Sequence, residues 1–267
     1  MKPLIAWELR QRKMYLLWWT LGTVLIVALL LGIYPSIRSQ AASFNQVINQ
    51  LPTSLRDLKT GGGATDVTSP IGYLNAQLYY ITLPLLQIVM SVGLGSSLLA
   101  RDEHSRTLEL LLSRPISRGK LLLAKAVSGI LLVAGVTVVS LLATIALASA
   151  VDIHIPIGNI INASLYAALF SLSFGAIAFA FAAMGGRWQR ASMAVAVCIS
   201  FGGYLLASLS GLSHYIQTPA KFLPYHYYTP TSILHGQGVG GLDVYLVIVF
   251  AAAAVVSWLG FRSRDIE

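Results

Sequence analysis

The sequence predicts an all-α integral membrane protein with six transmembrane helices, and three observations carry that prediction. Of 267 residues, 56% are hydrophobic and only 10% are charged, with mean hydropathy +0.72. An ordinary soluble domain is about 25% charged. Six uncharged stretches occur, at 14–37, 67–100, 126–151, 153–186, 191–220 and 244–261. Each reaches the roughly 18–20 residues a helix needs to cross a hydrocarbon core about 30 Å thick. The runs are solidly apolar and do not alternate as barrel strands do. Backbone groups in lipid must pair within their own segment, so each run reads as a helix. The expected spans are about 14–34, 71–100, 121–150, 160–184, 191–211 and 244–261, and residues 1–267 read as one membrane domain.

Ahead of the first span lies KPLIAWELRQRK. Leu4, Ile5 and Leu9 share a rough helical face, with Lys2, Arg10, Arg12 and Lys13 crowding the ends, which predicts a short helix on the membrane surface. The simpler alternative is a basic flank that only sets orientation. No small-residue cleavage site follows the apolar run, so a cleavable signal peptide is not expected. Between the first two spans, Phe44, Val47, Ile48 and Leu51 fall at helical spacing. Pro52 suits the first turn of another short helix, Gly61-Gly62-Gly63 marks a break, and Ser69-Pro70 suits the cap and first residue of the second span. The second span carries Asn75, Gln77 and Gln87, together with a kinking Pro84. Amides in lipid either bond neighbouring helices or line a cavity, and both readings stay open here.

The link VDIHIPIGNI at 151–160 makes the third and fourth spans a hairpin. Small and aromatic residues in the fourth, from Ser164 to Gly175, suit close packing. GGRWQR at 185–190 reads as a short basic loop. Segment 212–243 is broken by Pro219, Pro224 and Pro230, and its tyrosines suit the lipid–water interface. With both termini in the cytoplasm, fourteen of the eighteen Lys and Arg residues fall on that side, as the positive-inside rule requires. The net charge of +8 is thus first an orientation signal, and nucleic acid is not an expected partner.

Candidates for chemistry are few. Cys198 is the single cysteine, so the chain has no internal disulfide. No GxxxxGK[ST] phosphate loop occurs. Asp152 with His154, or the histidines 214, 226 and 235, do not make a metal site, and none is expected. Ser96 and Ser97 leave an intramembrane hydrolase as an alternative, although such a nucleophile needs a base within reach. The expectation is that the chain has no catalytic residue. A nucleotide-independent channel or scaffold is a further alternative.

The remaining feature is a charged island, RDEHSRTLELLLSRPISRGKLLLAK, at 101–125, which holds six of the basic residues and three of the ten acids. Arg101–Leu112 has neither Pro nor Gly and reads as a helix. Leu108, Leu111 and Leu112 form an apolar edge, Pro115 stops the helix and Ser117 can cap the next. An apolar edge on a helix outside the bilayer predicts a docking partner.

These residues resemble the cytoplasmic loop of permease subunits of ATP-binding-cassette exporters of the type-2 family. The matching positions are Glu103, Thr107, Leu108, Glu109, Leu110, Leu111, Leu112, Arg114, Pro115, Ser117, Arg118 and Lys125. LPYHYYTP at 223–230 and the ending at Phe261, Arg262, Arg264, Asp265 and Ile266 are similar to further stretches of that family. DVTSPIGYLNAQL at 66–78 resembles its antibiotic-exporter branch. Arg106, Thr229 and Ser263 stand where the family has Gly, Asp and Arg. The resemblance implies one half of an export system in a prokaryotic cell membrane. Its partners would be a second permease subunit, identical or not, two copies of an ATPase subunit, and the membrane lipid. The chain itself would bind no cofactor, with ATP and Mg on the ATPase. Residues 102–112 would be the helix that couples to the ATPase, with Glu103, Thr107, Leu108, Glu109, Leu111, Leu112, Arg114 and Pro115 as contacts. Asn75, Gln77 and Gln87 would line the pathway of a hydrophobic or amphipathic cargo, at a seam formed by the second and fifth spans.

Overall fold

A computed structural model describes residues 1–50, 66–104, 117–208 and 223–263. The Pro52 helix, the Gly61–Gly63 break and most of the expected docking helix lie outside them. The described residues are all helix or connection, without a strand. Among the described residues, six helices are long and apolar enough to cross a membrane: Lys13–Ser39, Pro70–Arg101, Arg118–Ala150, Ile157–Met184, Gly186–Ala207 and Leu242–Arg262. The number agrees with the sequence, and several of the helices extend past their apolar runs, because a helix need not stop where its apolar run stops. The first span continues through Pro35, and the third begins at Arg118, capped by Ser117, whose side chain makes no cap hydrogen bond. The third–fourth turn carries Asp152 at φ 58°.

The 185–190 stretch is corrected by the structure. It is the first turn of the fifth span, and the reversal is made by Gly185 and Gly186 at φ 75° and 54°. Glycine reaches such angles without a Cβ penalty, so no longer loop is needed.

The second and fourth spans form the centre. Their most apolar stretches are 61% and 67% buried inside the chain, whereas the other four spans reach 33% or less. Glycines permit the close crossing. A Cβ on Gly95 would strike the carbonyl oxygen of Gly175, and one on Gly175 would lie 2.8 Å from the Ser91 carbonyl oxygen. Without a hydrophobic force between helices in lipid, such backbone approach supplies the packing. The first span packs on the third, and the fifth and sixth on the fourth. Large apolar side chains on the outer spans, such as Leu21, Leu25, Val247 and Ile248, are exposed, as expected of faces turned to lipid.

The second span starts as predicted, with the Ser69 hydroxyl accepting from the Gly72 amide at 3.1 Å. It then loosens into a π-helical turn at Leu74–Tyr79 before continuing from Thr82. The wide turn and the missing N–H of Pro84 release carbonyls that water cannot reach, and side chains replace the lost donors. Ser171 ties the Pro84 carbonyl to the fourth span at 3.2 Å, and the released carbonyls of Gln77 and Tyr79 accept from Thr82 at 2.5 Å and from Tyr228 at 2.7 Å.

That last bond corrects the reading of Tyr228 as an interfacial residue. Tyr225 and Tyr228 are buried, with Tyr228 stacked on Phe170 at 4.4 Å between ring centres. The hydroxyl is drawn inward by an acceptor that would otherwise be unpaired. Tyr228→Phe keeps the ring and strands the carbonyl, so a loss of about 1–3 kcal/mol is expected. It would be read as a lower thermal midpoint in detergent, and an unchanged midpoint would show that the hydroxyl bond is dispensable.

Candidate functional site

Two places combine polar chemistry with access. The first is the end of the bundle that carries the 105–116 stretch. The N-terminal helix forms over Lys2–Gln11, and Leu4, Ile5 and Leu9 are half-buried as their shared face predicts. At the centre of that face sits an acid, Glu8, only 3% exposed. One carboxylate oxygen accepts from Arg12 Nε at 2.8 Å and the other from Lys125 Nζ at 2.5 Å. Arg12 also donates to the Ser97 hydroxyl at 3.0 Å, and Lys125 lies 5.6 Å from the Trp7 ring centre. Burial by itself would raise the Glu8 carboxyl pKa, but hydrogen bonds and charge from Lys125 and Arg12 outweigh it and hold the group below its usual 4.5.

This cluster was missed in the sequence, where Arg12 and Lys125 read as orientation charges. Two signals point to it: an acid among the apolar positions of a short helix, and a lysine two turns inside the third span. The cluster ties together both flanks of the charged island. Ser97 precedes it on the second span, Lys125 closes it on the third, and both meet the same N-terminal pair. Ser97 has a guanidinium as its neighbour, a group that cannot accept a proton, so this contact supplies no base for the hydrolase alternative. Ser96 bonds the Gly93 carbonyl at 3.2 Å.

The second place is a groove of about 190 Å³ between the second and fifth spans, lined by residues including Ile81, Leu85, Val89, Met193, Phe201 and Tyr204. Leu85, Val89, Met193, Val197 and Phe201 continue it as an exposed apolar face. The three amides separate here. Gln77 is half-exposed, within the π-helical turn. Gln87 is 1% exposed and donates to Thr137 of the third span at 3.2 Å. Asn75 is buried within the π-helical turn. The structure thus leaves Gln77 partly exposed and puts the other two inside the chain. Among the island residues, the Glu103 backbone continues the second span's helix to His104. Thr107, Leu108, Glu109, Leu111, Leu112, Arg114 and Pro115 lie outside the described residues. Among the described residues, no group of three His, Cys, Asp or Glu side chains could hold a metal.

A search of curated proteins found no match to the chain. The family model described as ABC-2 family transporter protein matches residues 3–259, nearly the whole sequence and all six spans. The chain therefore belongs to the ABC-2 transporter family and is a multi-pass, non-catalytic permease subunit of an ABC transporter.

Proposed function

We propose that the chain is one half of an export permease. It would move a hydrophobic or amphipathic compound out of a prokaryotic cell, with both termini in the cytoplasm and residues 1–267 acting as one domain. Two copies of a separate ATPase subunit drive it, one docked on residues 102–112 of each permease half. ATP and Mg sit on the ATPase. A second permease subunit closes the working unit against the second and fifth spans, whose apolar groove supports a pathway there, with Gln77 as a pathway residue. Asn75 and Gln87 act from behind this wall.

The observation that carries the reading is the leucine-edged island 101–125, set between the second and third spans of an ABC-2 chain. A run of Leu110, Leu111 and Leu112 beside Glu109, in a charged stretch of sequence, fits a partner groove better than it fits water. The positive-inside balance supports its cytoplasmic side.

The expected result of a mild-detergent pull-down is recovery of a soluble subunit carrying a phosphate loop. Changing Leu108, Leu111 and Leu112 together to Asp should abolish that recovery while membrane insertion persists. Leu108→Asp or Glu109→Arg alone should lower transport at least tenfold with ATP hydrolysis retained. An intact complex without an ATPase would overturn the proposal and return the channel or Ser96/Ser97 hydrolase reading.

A further inference from the structure

A larger groove lies on a different face of the central pair from the second–fifth span groove. It encloses about 530 Å³ between the third and sixth spans, with the second and fourth as its floor. It exists because its lining is small at the critical points: Gly95 and Gly175 on the floor, Ala126 and Gly129 on one wall, and Ala253 and Ala254 on the other. Lining residues on the third span run from Gly119 to Val133. At 1.5 Å per residue that is about 20 Å, which begins at the end of the bundle nearest the island and reaches the depth of one hydrocarbon leaflet, about 15 Å. Leu123, Ile130 and Trp258 on the rims are exposed, so the groove opens sideways to the surroundings of the chain.

The mouth has a different chemistry. The Trp258 ring lies over Gly119, where a Cβ would collide with it, and indoles favour the headgroup level of a bilayer. Arg118 donates to the Arg262 carbonyl at 3.2 Å, which joins the ends of the third and sixth spans. Lys120 and Arg262 are exposed beside them. The apolar lining thus ends at Gly119 and Trp258, next in the chain to the exposed Arg118 and Lys120 and one turn before the exposed Arg262.

We propose that this groove holds one acyl chain of an anionic phospholipid, with its phosphate at Arg118, Lys120 and Arg262. Basic pockets at the ends of membrane helices attract anionic headgroups in this way. The lipid fills the space between the third and sixth spans and bears on the central crossing at Gly95 and Gly175. Naming the cytoplasmic leaflet rests on the orientation proposed above; the binding itself does not.

The test is native mass spectrometry of the purified full chain, titrated with phosphatidylglycerol or phosphatidylcholine of identical acyl chains. One phosphatidylglycerol should be retained at roughly tenfold lower concentration than phosphatidylcholine. Ala254→Trp, which fills the groove, should lose that bound lipid. Lys120→Glu with Arg262→Glu, both at exposed positions, should keep lipid binding and lose the preference, so the proposal stays testable even where the groove variant fails to fold. Equal retention of the two lipids by the unaltered chain, or an unchanged preference in the charge variant, would overturn it.

Discussion

Glu8→Gln should lower the stability of the purified chain by about 3–5 kcal/mol, because it leaves Arg12 and Lys125 buried without their counter-charge. The amide matches the carboxylate in shape, so the loss comes from charge and hydrogen bonding rather than from a cavity. Adding Lys125→Met should recover part of it, since the second change removes one of the stranded cations. A double-variant cycle read by thermal unfolding checks this, and independent, additive losses would show that the two groups do not act together. Acid gives a second readout. The folded carboxyl titrates below 4.5, so its stabilising effect is complete above that pH and disappears as pH falls through the lower folded value. The Glu8→Gln chain should lack this acid-side loss. If the cluster is also the link between the island and the first span, the variant that still assembles with an ATPase should hydrolyse ATP with weakened transport.

Gly95→Leu should prevent the second and fourth spans from meeting. Its Cβ would enter the Gly175 backbone oxygen, an obstacle that no change of rotamer relieves. Overpacking a core costs about 1–3 kcal/mol where side chains can shift, and here the obstacle is backbone, so the upper end or more is expected. Expression yield and monodispersity in detergent would report it. Gly158→Leu is the control, because nothing lies within 4 Å of a Cβ there, and it should behave as the unaltered chain does. Equal behaviour of the two variants would mean that the crossing is not tight.

What the sequence disclosed follows the range of its forces. The number of spans was legible because each run satisfies the hydrocarbon core on its own. The Ser69 cap was legible because its bond reaches only three residues. Relations across the bundle were not. The 185–190 stretch reads as a loop from its Gly-Gly and basic residues, yet two glycines alone reverse the chain and the arginines simply begin a helix. Tyr228 reads as an interfacial residue until the π-helical turn supplies an acceptor inside. The three amides look equivalent in a list of polar residues, and only helix rotation separates Gln77 from Asn75 and Gln87. The leucines of the island predict a docking element from sequence alone, whereas the cluster that braces its flanks needed Glu8 and Lys125 to be brought together.

The bond between Lys125 and Glu8 joins residues 117 positions apart, and this sets an order of events during synthesis. Glu8 and Arg12 are among the first residues made, while Lys125 follows only after two spans and the intervening segment. At about 5–20 residues per second, the acid and its arginine wait roughly 6–25 seconds for their third member. During that interval the amino-terminal helix has no low-cost place inside the bundle and must rest where water can reach its charges. Arrival of the third span then draws it in. A nascent chain cut before Lys125 should therefore leave its amino terminus open to aqueous thiol reagents through a cysteine placed at position 9, whose leucine packs against the third span and leaves Glu8 in place, whereas a chain carried past the third span should shield it.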